Sequence, residues 1–212
     1  STDYSGGRVQ VFDGEGKFIT QWTARSVAYT ADLEAAPDGT VYLADSRSVR
    51  AFNGPDGKEL ASMKVSSPRG VEVGQDGQVY ITTRTSIIVA DKNLNIKSDF
   101  KKAAEDASSR LGFESIAVDG SGNIYAVTRQ EGDIAKFSPQ GKFLNRIKTD
   151  VRSPRDIAID PAGNIFLTNV STIHIFSPDG KALKTIKADQ AFGLDINASG
   201  DVFVASRPEV VK

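Results

Sequence analysis

The stretch Asp156–Asn169, DIAIDPAGNIFLTN, decides the fold because versions of it occur five times along the chain. Each copy has an apolar-x-apolar triplet, then a turn containing a glycine, then a β-branched residue followed by an aromatic one. In this copy the triplet begins at Ile157, the glycine is Gly163 and the pair is Ile165-Phe166. The pattern predicts a strand, a tight turn and a second strand. The other four copies are Asp32–Asp45, Gly70–Thr83, Ser115–Thr128 and Gly193–Ser206.

A second pattern predicts two more strands in each unit. A phenylalanine precedes a Gly-Lys pair, as expected for a strand that runs into a hairpin turn. The second unit departs from this pattern, with Ala90 in place of the phenylalanine and Leu94-Asn95 in place of Gly-Lys. A full unit therefore holds four strands in about forty residues. The phenylalanines are Phe12, Phe52, Phe137 and Phe176.

Four-stranded units at this spacing predict an all-β fold, a five-bladed β-propeller with antiparallel blades. The first residues match only the second half of a unit, and the last unit stops after its first half. Pairing the N- and C-terminal strands in one blade would close the ring and remove exposed edges. A small surplus of strand-like sequence at both termini leaves a six-bladed relative, or a fragment of one, as an alternative. The single domain 1-212 then divides into blades at 30-68, 69-113, 114-154, 155-193, and 194-212 completed by 1-29.

The units resemble NHL repeats, most clearly in PRDIAIDPAGNIFLTNVSTIHIFSPDGKALKTI, which begins at Pro154. The resemblance covers nearly the whole chain and implies a propeller. Proteins of this architecture include ligand-binding sensor domains, protein- and RNA-binding modules, lactonases and lyases. The resemblance therefore leaves the function to be argued from the site itself.

Composition narrows the possible partners and compartments. The formal net charge is −1, which gives no global attraction to nucleic acid or to a membrane surface. No apolar run approaches the roughly 20 residues of a spanning helix, so we expect no membrane span. The absence of cysteine excludes disulfides and thiolate metal sites. The chain starts at Ser1 without a methionine, and a removed signal would place it outside the cytoplasm, in the periplasm or secreted; the compartment stays open.

One insertion separates the second and third units. The stretch Lys97–Arg110 lacks strand alternation and predicts a short helix in the loop between blades, with Ser98 as its N-cap. Lys101 stands four residues before Glu105, a spacing that supports a helix.

Arginines recur in loops that the propeller resemblance places around one mouth of the central channel. Several follow the second strand of a unit, and two precede the first strand directly after a proline. Guanidinium groups stay charged and pair bidentately, so such a ring would hold carboxylates or phosphates. The alternative is that these arginines are solvated or pair with the nearby acids Asp45, Glu114, Glu131 and Asp156. The six candidates are Arg47, Arg69, Arg84, Arg129, Arg155 and Arg207.

Acidic residues occupy the middle of three first-strand triplets, namely Glu34, Glu72 and Asp195. If these side chains converge on the channel, they would bind a divalent cation such as calcium or raise one another's pKa. The alternatives are pairing with the arginines or hydration of a wet channel. Asp119 and Asp160 precede the turn glycine and are predicted to cap turns.

Several other site classes are disfavoured. The one histidine, His174, lies on an outer strand, where we expect it exposed or half-buried and not in a catalytic triad. Calcium-dependent lactonases use acid and amide side chains at the channel. The nearest amide in this chain is Asn169, at the end of a second strand and not on an inner strand, which disfavours a lactonase site. Most lysines of the Gly-Lys turns lie beside aspartates, so nucleic acid is not the expected partner.

The sequence thus predicts a monomeric, non-enzymatic binding propeller, a sensor or scaffold domain, that grips an anionic small molecule or an acidic protein surface. We expect this binding domain to need no cofactor. The first alternative is a metal-dependent hydrolase, lactonase or lyase built on the channel carboxylates. The second is an engineered or excised ring without a ligand.

Overall fold

The chain is described by a computed structural model that covers residues 2–3, 8–23, 31–107, 112–129, 131–205 and 210–211. These residues form six antiparallel sheets, each a meander in which neighbours in sequence are neighbours in the sheet. We number the sheets 1 to 6 in chain order.

Four of the predicted units form complete four-stranded sheets. The turn glycines permit tight connections, because each adopts a positive φ, as at Gly163 with φ 83°. Sheet 2 holds β4 (Asp32–Ala35), β5 (Thr40–Ala44), β6 (Ser48–Asn53) and β7 (Glu59–Lys64). Sheet 3 holds β8 (Val71–Val73), β9 (Val79–Thr82), β10 (Ile87–Ala90) and β11 (Ile96–Asp99). Sheet 4 holds β12 (Phe113–Val118), β13 (Ile124–Thr128), β14 (Ile134–Phe137) and β15 (Phe143–Ile147). Sheet 5 holds β16 (Ile157–Ile159), β17 (Ile165–Thr168), β18 (Thr172–Phe176) and β19 (Ala182–Lys187).

The terminal strands form two separate three-stranded sheets. Sheet 1 holds β1 (Thr2–Asp3), β2 (Arg8–Phe12) and β3 (Phe18–Thr23), and sheet 6 holds β20 (Gly193–Ile196), β21 (Val202–Ala205) and β22 (Val210–Val211). Sheet 6 places β21 between β20 and β22, with Val204 opposite Val211. Sheet 1 places β2 between β1 and β3. Both sides of β2 and of β21 are therefore engaged, and the predicted closure through one shared blade is not confirmed. The strand surplus seen in the sequence is present instead, as β1 and β22.

The predicted helix exists but begins later than expected. Helix α1 spans Lys101–Ala107, whereas Ser98 lies inside β11 and pairs with Val89. The assignment of Ser98 as an N-cap is therefore wrong, because the first residues of the insertion continue the fourth strand of sheet 3. Ala104 and Ala107 are buried in a cluster formed by sheets 3 and 4.

The first strands of successive sheets contact one another, β4 with β8, β8 with β12, β12 with β16 and β16 with β20. The core lies between the sheets, where the tyrosines Tyr42, Tyr80 and Tyr125 are each about 1% exposed. Burial of aromatic area of this kind is the main stabilising contribution between sheets.

A repeated contact joins each sheet to the next at the turn between the third and fourth strands. A Cβ added at Gly57 would lie 2.5 Å from the Trp22 ring, and one added at Gly180 would lie 2.5 Å from the Ile147 side chain. We call the large side chain the cover residue and the turn residue beneath it the covered residue. Each cover residue stands six positions after the turn residue of its own sheet. Three junctions are filled in this way, namely Trp22 on Gly57, Phe100 on Gly141 and Ile147 on Gly180. At the fourth, the corresponding residues Met63 and Leu94 belong to one buried cluster.

Within the described ranges, one cover residue and one turn glycine lack this contact. Ile186 holds the cover position in sheet 5 and is 38% exposed. Gly16 holds the turn position in sheet 1 and has open space around its Cβ position. Phe12, which precedes that turn, is 40% exposed, whereas its counterparts Phe52 and Phe137 are 3% and 0% exposed. Among the described residues, the turn glycine without a cover residue thus lies in sheet 1, and the cover residue without a turn glycine beneath it lies in sheet 5.

Candidate functional site: an arginine-lined pocket

Three of the six predicted arginines line one pocket of about 140 Å³. Arg69, Arg84 and Arg129 share it with Ser67 and Phe113. Phe113 is buried and provides an apolar wall, whereas the arginines and the serine provide hydrogen-bond donors. The pocket lies between sheets 3 and 4, at the loops that the repeat pattern singled out.

Backbone contacts position the three arginines. The Arg69 N–H donates to the Thr82 carbonyl over 2.9 Å, which fixes the residue beside the end of β9. Arg84 is the second residue after that strand, in a turn where the Thr83 hydroxyl accepts the Ser86 N–H over 3.0 Å. Arg129 follows β13 and donates its backbone N–H to the Gly112 carbonyl over 3.0 Å.

Gly112 allows the two halves of the pocket to meet. It adopts a φ of 73°, and a Cβ added there would overlap the backbone of Arg84. Only glycine permits both this conformation and this approach. The loop of sheet 3 that carries Arg84 therefore packs directly on the chain that leads into β12 and Phe113.

The loop before Arg69 has a twin elsewhere in the chain. Ser67 and Ser153 both adopt positive φ, 52° and 51°, and each precedes a buried proline and an arginine. Arg155 is held like Arg69, with its N–H donating to the Thr168 carbonyl over 2.8 Å. The position that corresponds to Arg84 is occupied by Val170 at this second loop. The twin therefore lacks the guanidinium that completes the pocket.

The pocket carries excess positive charge. Arg129 Nε lies 3.1 Å from Glu114 Oε2, so one arginine is paired. Arg69 and Arg84 have no ion-pair partner in the part of the chain that the structure describes. Three guanidinium groups and one carboxylate leave two positive charges. Arg69 is half-buried, which strengthens its attraction for an anion relative to a fully solvated arginine.

Among those of the six candidate arginines that lie in the described ranges, Arg129 is the one that forms an ion pair with one of the nearby acids. Asp45 accepts the backbone N–H of Arg47 over 2.8 Å and lies 3.7 Å from Arg50. Glu131 lies 3.4 Å from Arg146. Arg47 and Arg155 are exposed and do not line this pocket, and Arg207 lies outside the described residues.

The channel acids repel one another. Burial raises the pKa of Glu34 well above its ordinary value, and repulsion from Glu72 and Asp195 raises it further. Burial likewise raises the pKa of Glu72, with Asp195 as the next cause. Among the described residues no group of three or more such side chains is placed to hold a metal ion. The predicted metal site on these acids stays a prediction.

Two aspartates that sequence reasoning did not assign to the channel link neighbouring sheets. Asp32 Oδ2 accepts the Val71 N–H over 2.9 Å, and Asp156 Oδ2 accepts the Leu194 N–H over 2.8 Å. Burial is the largest influence on Asp156 and raises its pKa to about 6, although the Ser115 hydroxyl bonds to it and opposes the shift. The sequence does contain a signal for these links. An aspartate stands at the start of the first strand of one unit, and a glycine stands at the same position of the unit to which it is linked.

The remaining candidates have structural roles. Asp119 and Asp160 each accept two backbone N–H groups within their turns, which confirms them as caps. Asn169 also caps a turn, since its Oδ1 accepts the N–H groups of Ser171 and Thr172. His174 is half-buried on β18, with the Thr172 hydroxyl 2.8 Å from its Nε2, as expected for a histidine outside a triad.

Replacing Glu34 and Glu72 by glutamine is expected to raise the melting temperature at pH 8 and to leave it nearly unchanged at pH 4. Because the folded-state pKa values are raised, the glutamates favour folding below their ordinary pKa and lose that contribution as the pH rises. Thermal melts of both proteins at pH 4, 6 and 8 test this. Asp38→Asn is the control, because hydrogen bonds from Thr40 lower the pKa of this exposed carboxyl. A double glutamine variant that melts lower than the wild type at pH 8 would contradict the mutual repulsion.

Comparisons with known proteins support the fold alone. No family model and no curated protein matches the chain. A crystal structure of a protein of unknown function from Bacteroides caccae is similar with a TM-score of 0.74 and 11% identity, covering 93% of this chain and 78% of that one. The WD40 β-propeller domain of Doa1 is similar with a TM-score of 0.67 and 17% identity, covering 85% of this chain and 62% of that one. The chain therefore has a propeller-like all-β fold. No helix in the described ranges is long and apolar enough to cross a membrane.

Proposed function

We propose that this chain is a non-enzymatic binding propeller, a sensor or scaffold domain, whose pocket between sheets 3 and 4 holds an anionic group. The observation that carries the proposal is the convergence of Arg69, Arg84 and Arg129 on one small pocket with a single carboxylate partner. Bidentate guanidinium contacts suit carboxylate and phosphate oxygens. The partner is then an anionic small molecule or an acidic segment of a protein.

The alternative of a metal-dependent hydrolase depends on Glu34, Glu72 and Asp195. Their repulsion supports a channel that attracts cations, so calcium binding at these acids is the feature that would favour this alternative. An engineered or excised ring without a ligand is the remaining alternative.

We also propose that the chain is an NHL-like monomer that closes as a five-bladed ring, with β2 pairing to β21. In support, Ile186 is 38% exposed and Gly16 has no neighbour at its Cβ position among the described residues, whereas the corresponding turn positions at the other junctions are covered. The strands that closure would displace, β1 and β22, are only two residues long. Burial is the largest cause that raises the pKa of Asp32 on β4, and repulsion from Asp195 on β20 adds to it, so these two carboxyl groups lie near enough to interact.

Arg69→Ala and Arg84→Ala are each expected to weaken binding of an anion at least about tenfold, since a hydrogen bond to a charged group contributes about 1.5–3 kcal/mol. Isothermal titration calorimetry with acetate, phosphate, sulfate and calcium would measure this. Arg155→Ala is the matched control, because Arg155 sits in the same loop conformation outside the pocket. Equal losses in all three variants would show that general surface charge is responsible, and calcium binding lost in Glu34→Gln would favour the hydrolase.

A further inference from the structure

We propose that the pocket selects a dianionic phosphate group over monoanions such as carboxylates. This inference rests on the proposed function, because it names the ligand class of the same pocket. It concerns the phosphate of a monoester, whether that monoester is a free metabolite or a phosphorylated side chain.

The charge of the pocket favours a dianion. Arg69 and Arg84 supply two positive charges that no carboxylate among the described residues neutralises at ion-pair distance. A phosphate monoester carries about −1.5 to −2 charges at pH 7, with a second pKa near 6. A dianion therefore cancels the pocket charge, whereas a carboxylate cancels only half of it.

The donors of the pocket also suit a tetrahedral group. Each guanidinium offers several N–H donors in a fixed plane, and Ser67 adds a hydroxyl. A volume of about 140 Å³ accommodates a phosphate group together with part of the molecule that carries it. Phe113, which also lines the pocket, is anchored in the core between sheets 3 and 4 and keeps that side of the pocket rigid.

Glu114 sets how much charge the pocket presents. Its Oε2 lies 3.1 Å from Arg129 Nε but accepts no well-directed hydrogen bond, although the atom is buried. The Arg129 side chain is 41% exposed, so it can turn toward a ligand that offers better acceptors. We therefore expect Glu114 to compete with the phosphate for Arg129. Removing its charge would leave three uncompensated guanidinium groups.

Calorimetric titration with methyl phosphate and dimethyl phosphate tests the selectivity, because the second compound is a monoanion of similar shape. At pH 7.5 we expect methyl phosphate to bind at least about tenfold more tightly than dimethyl phosphate or acetate. At pH 5 this advantage should shrink, because methyl phosphate gains a proton while the arginines stay charged. Sulfate, which stays a dianion, should bind almost equally at both pH values.

Among the described residues, Glu114 is the titratable group at ion-pair distance from an arginine of the pocket, so the pH series is repeated in Glu114→Gln. This variant should bind methyl phosphate more tightly than the wild type at pH 7.5 and keep the loss of affinity at pH 5. A loss that disappears in the variant would assign the pH dependence to the protein and overturn the inference. Weaker binding in the variant would also overturn it.

A tripeptide with a central phosphoserine distinguishes the source of the phosphate. Binding of methyl phosphate or of this peptide that is tighter than binding of dimethyl phosphate, and that is lost in Arg84→Ala, supports the inference. Equal affinity for dimethyl phosphate and methyl phosphate would overturn it and leave anion binding intact. Binding of none of the anions would overturn the proposed function as well.

Discussion

A chain with cysteines at Gly16 and Ile186 is expected to form a disulfide within one molecule under mild oxidation. The protein has no other cysteine, so the product is unambiguous. Closure of the five-bladed ring would place Ile186 over Gly16, as Ile147 lies over Gly180. Non-reducing electrophoresis and mass spectrometry would show a monomer that migrates faster than the reduced chain.

The matched control is the pair Ile147→Cys and Gly180→Cys. The Cβ position at Gly180 is 3.5 Å from Ile147 Cβ, within the range of about 3.5–4.5 Å that disulfides require. Gly16 and Gly180 have similar φ, 80° and 87°, so the conformational cost of cysteine is matched. Cross-linked dimers, or a control that cross-links while the Gly16 pair does not, would contradict closure within one chain.

Asp156→Ala is expected to lower the free energy of unfolding by about 2–4 kcal/mol, because it leaves two backbone N–H groups and a hydroxyl without their acceptor. The donors are the N–H groups of Ile157 and Leu194 and the hydroxyl of Ser115, which belong to three different sheets. Urea unfolding at pH 7 would measure the change.

Asp156→Asn is the control for charge. The asparagine keeps one oxygen acceptor and removes a carboxylate whose pKa burial raises to about 6. The free energy of unfolding of the asparagine variant should therefore be closer to that of the wild type than the value of the alanine variant is. Relative to the wild type, the asparagine variant should be more stable at pH 8 than at pH 5. An alanine variant within about 0.5 kcal/mol of the wild type would show that Asp156 does not join the sheets.

The repeat made most of the fold predictable, because glycine turns and alternating apolar residues act locally. Strand order in sheets 2 to 5 follows directly from that pattern. The termini were less predictable, since the choice between β22 and β2 as the partner of β21 depends on competition between two tertiary pairings. The start of α1 was predicted wrongly because Ser98 fits both the N-cap of a helix and a position in a strand. In the structure it pairs with Val89 as part of β11.

The candidate pocket was predictable in part. Counting from the repeat glycine located the arginine positions, but side-chain convergence depends on two backbone features that no repeat pattern encodes. These are the left-handed Ser67 before Arg69 and the close approach of Gly112 to Arg84. Phe113 was noted only as an aromatic residue near the mouth, and its role as a wall emerges from the packing of sheet 4. The links made by Asp32 and Asp156 were missed because their partners lie in the next unit.

The central claim is that three particular arginines bind an anion together. The most direct measurement is NMR of the arginine Nε–Hε signals during titration with methyl phosphate, with assignments from single Arg→Lys variants. We expect the signals of Arg69, Arg84 and Arg129 to shift together with one dissociation constant, while that of Arg146, held by Glu131, stays in place. Unchanged pocket signals, or equal shifts of every arginine in the chain, would contradict the account.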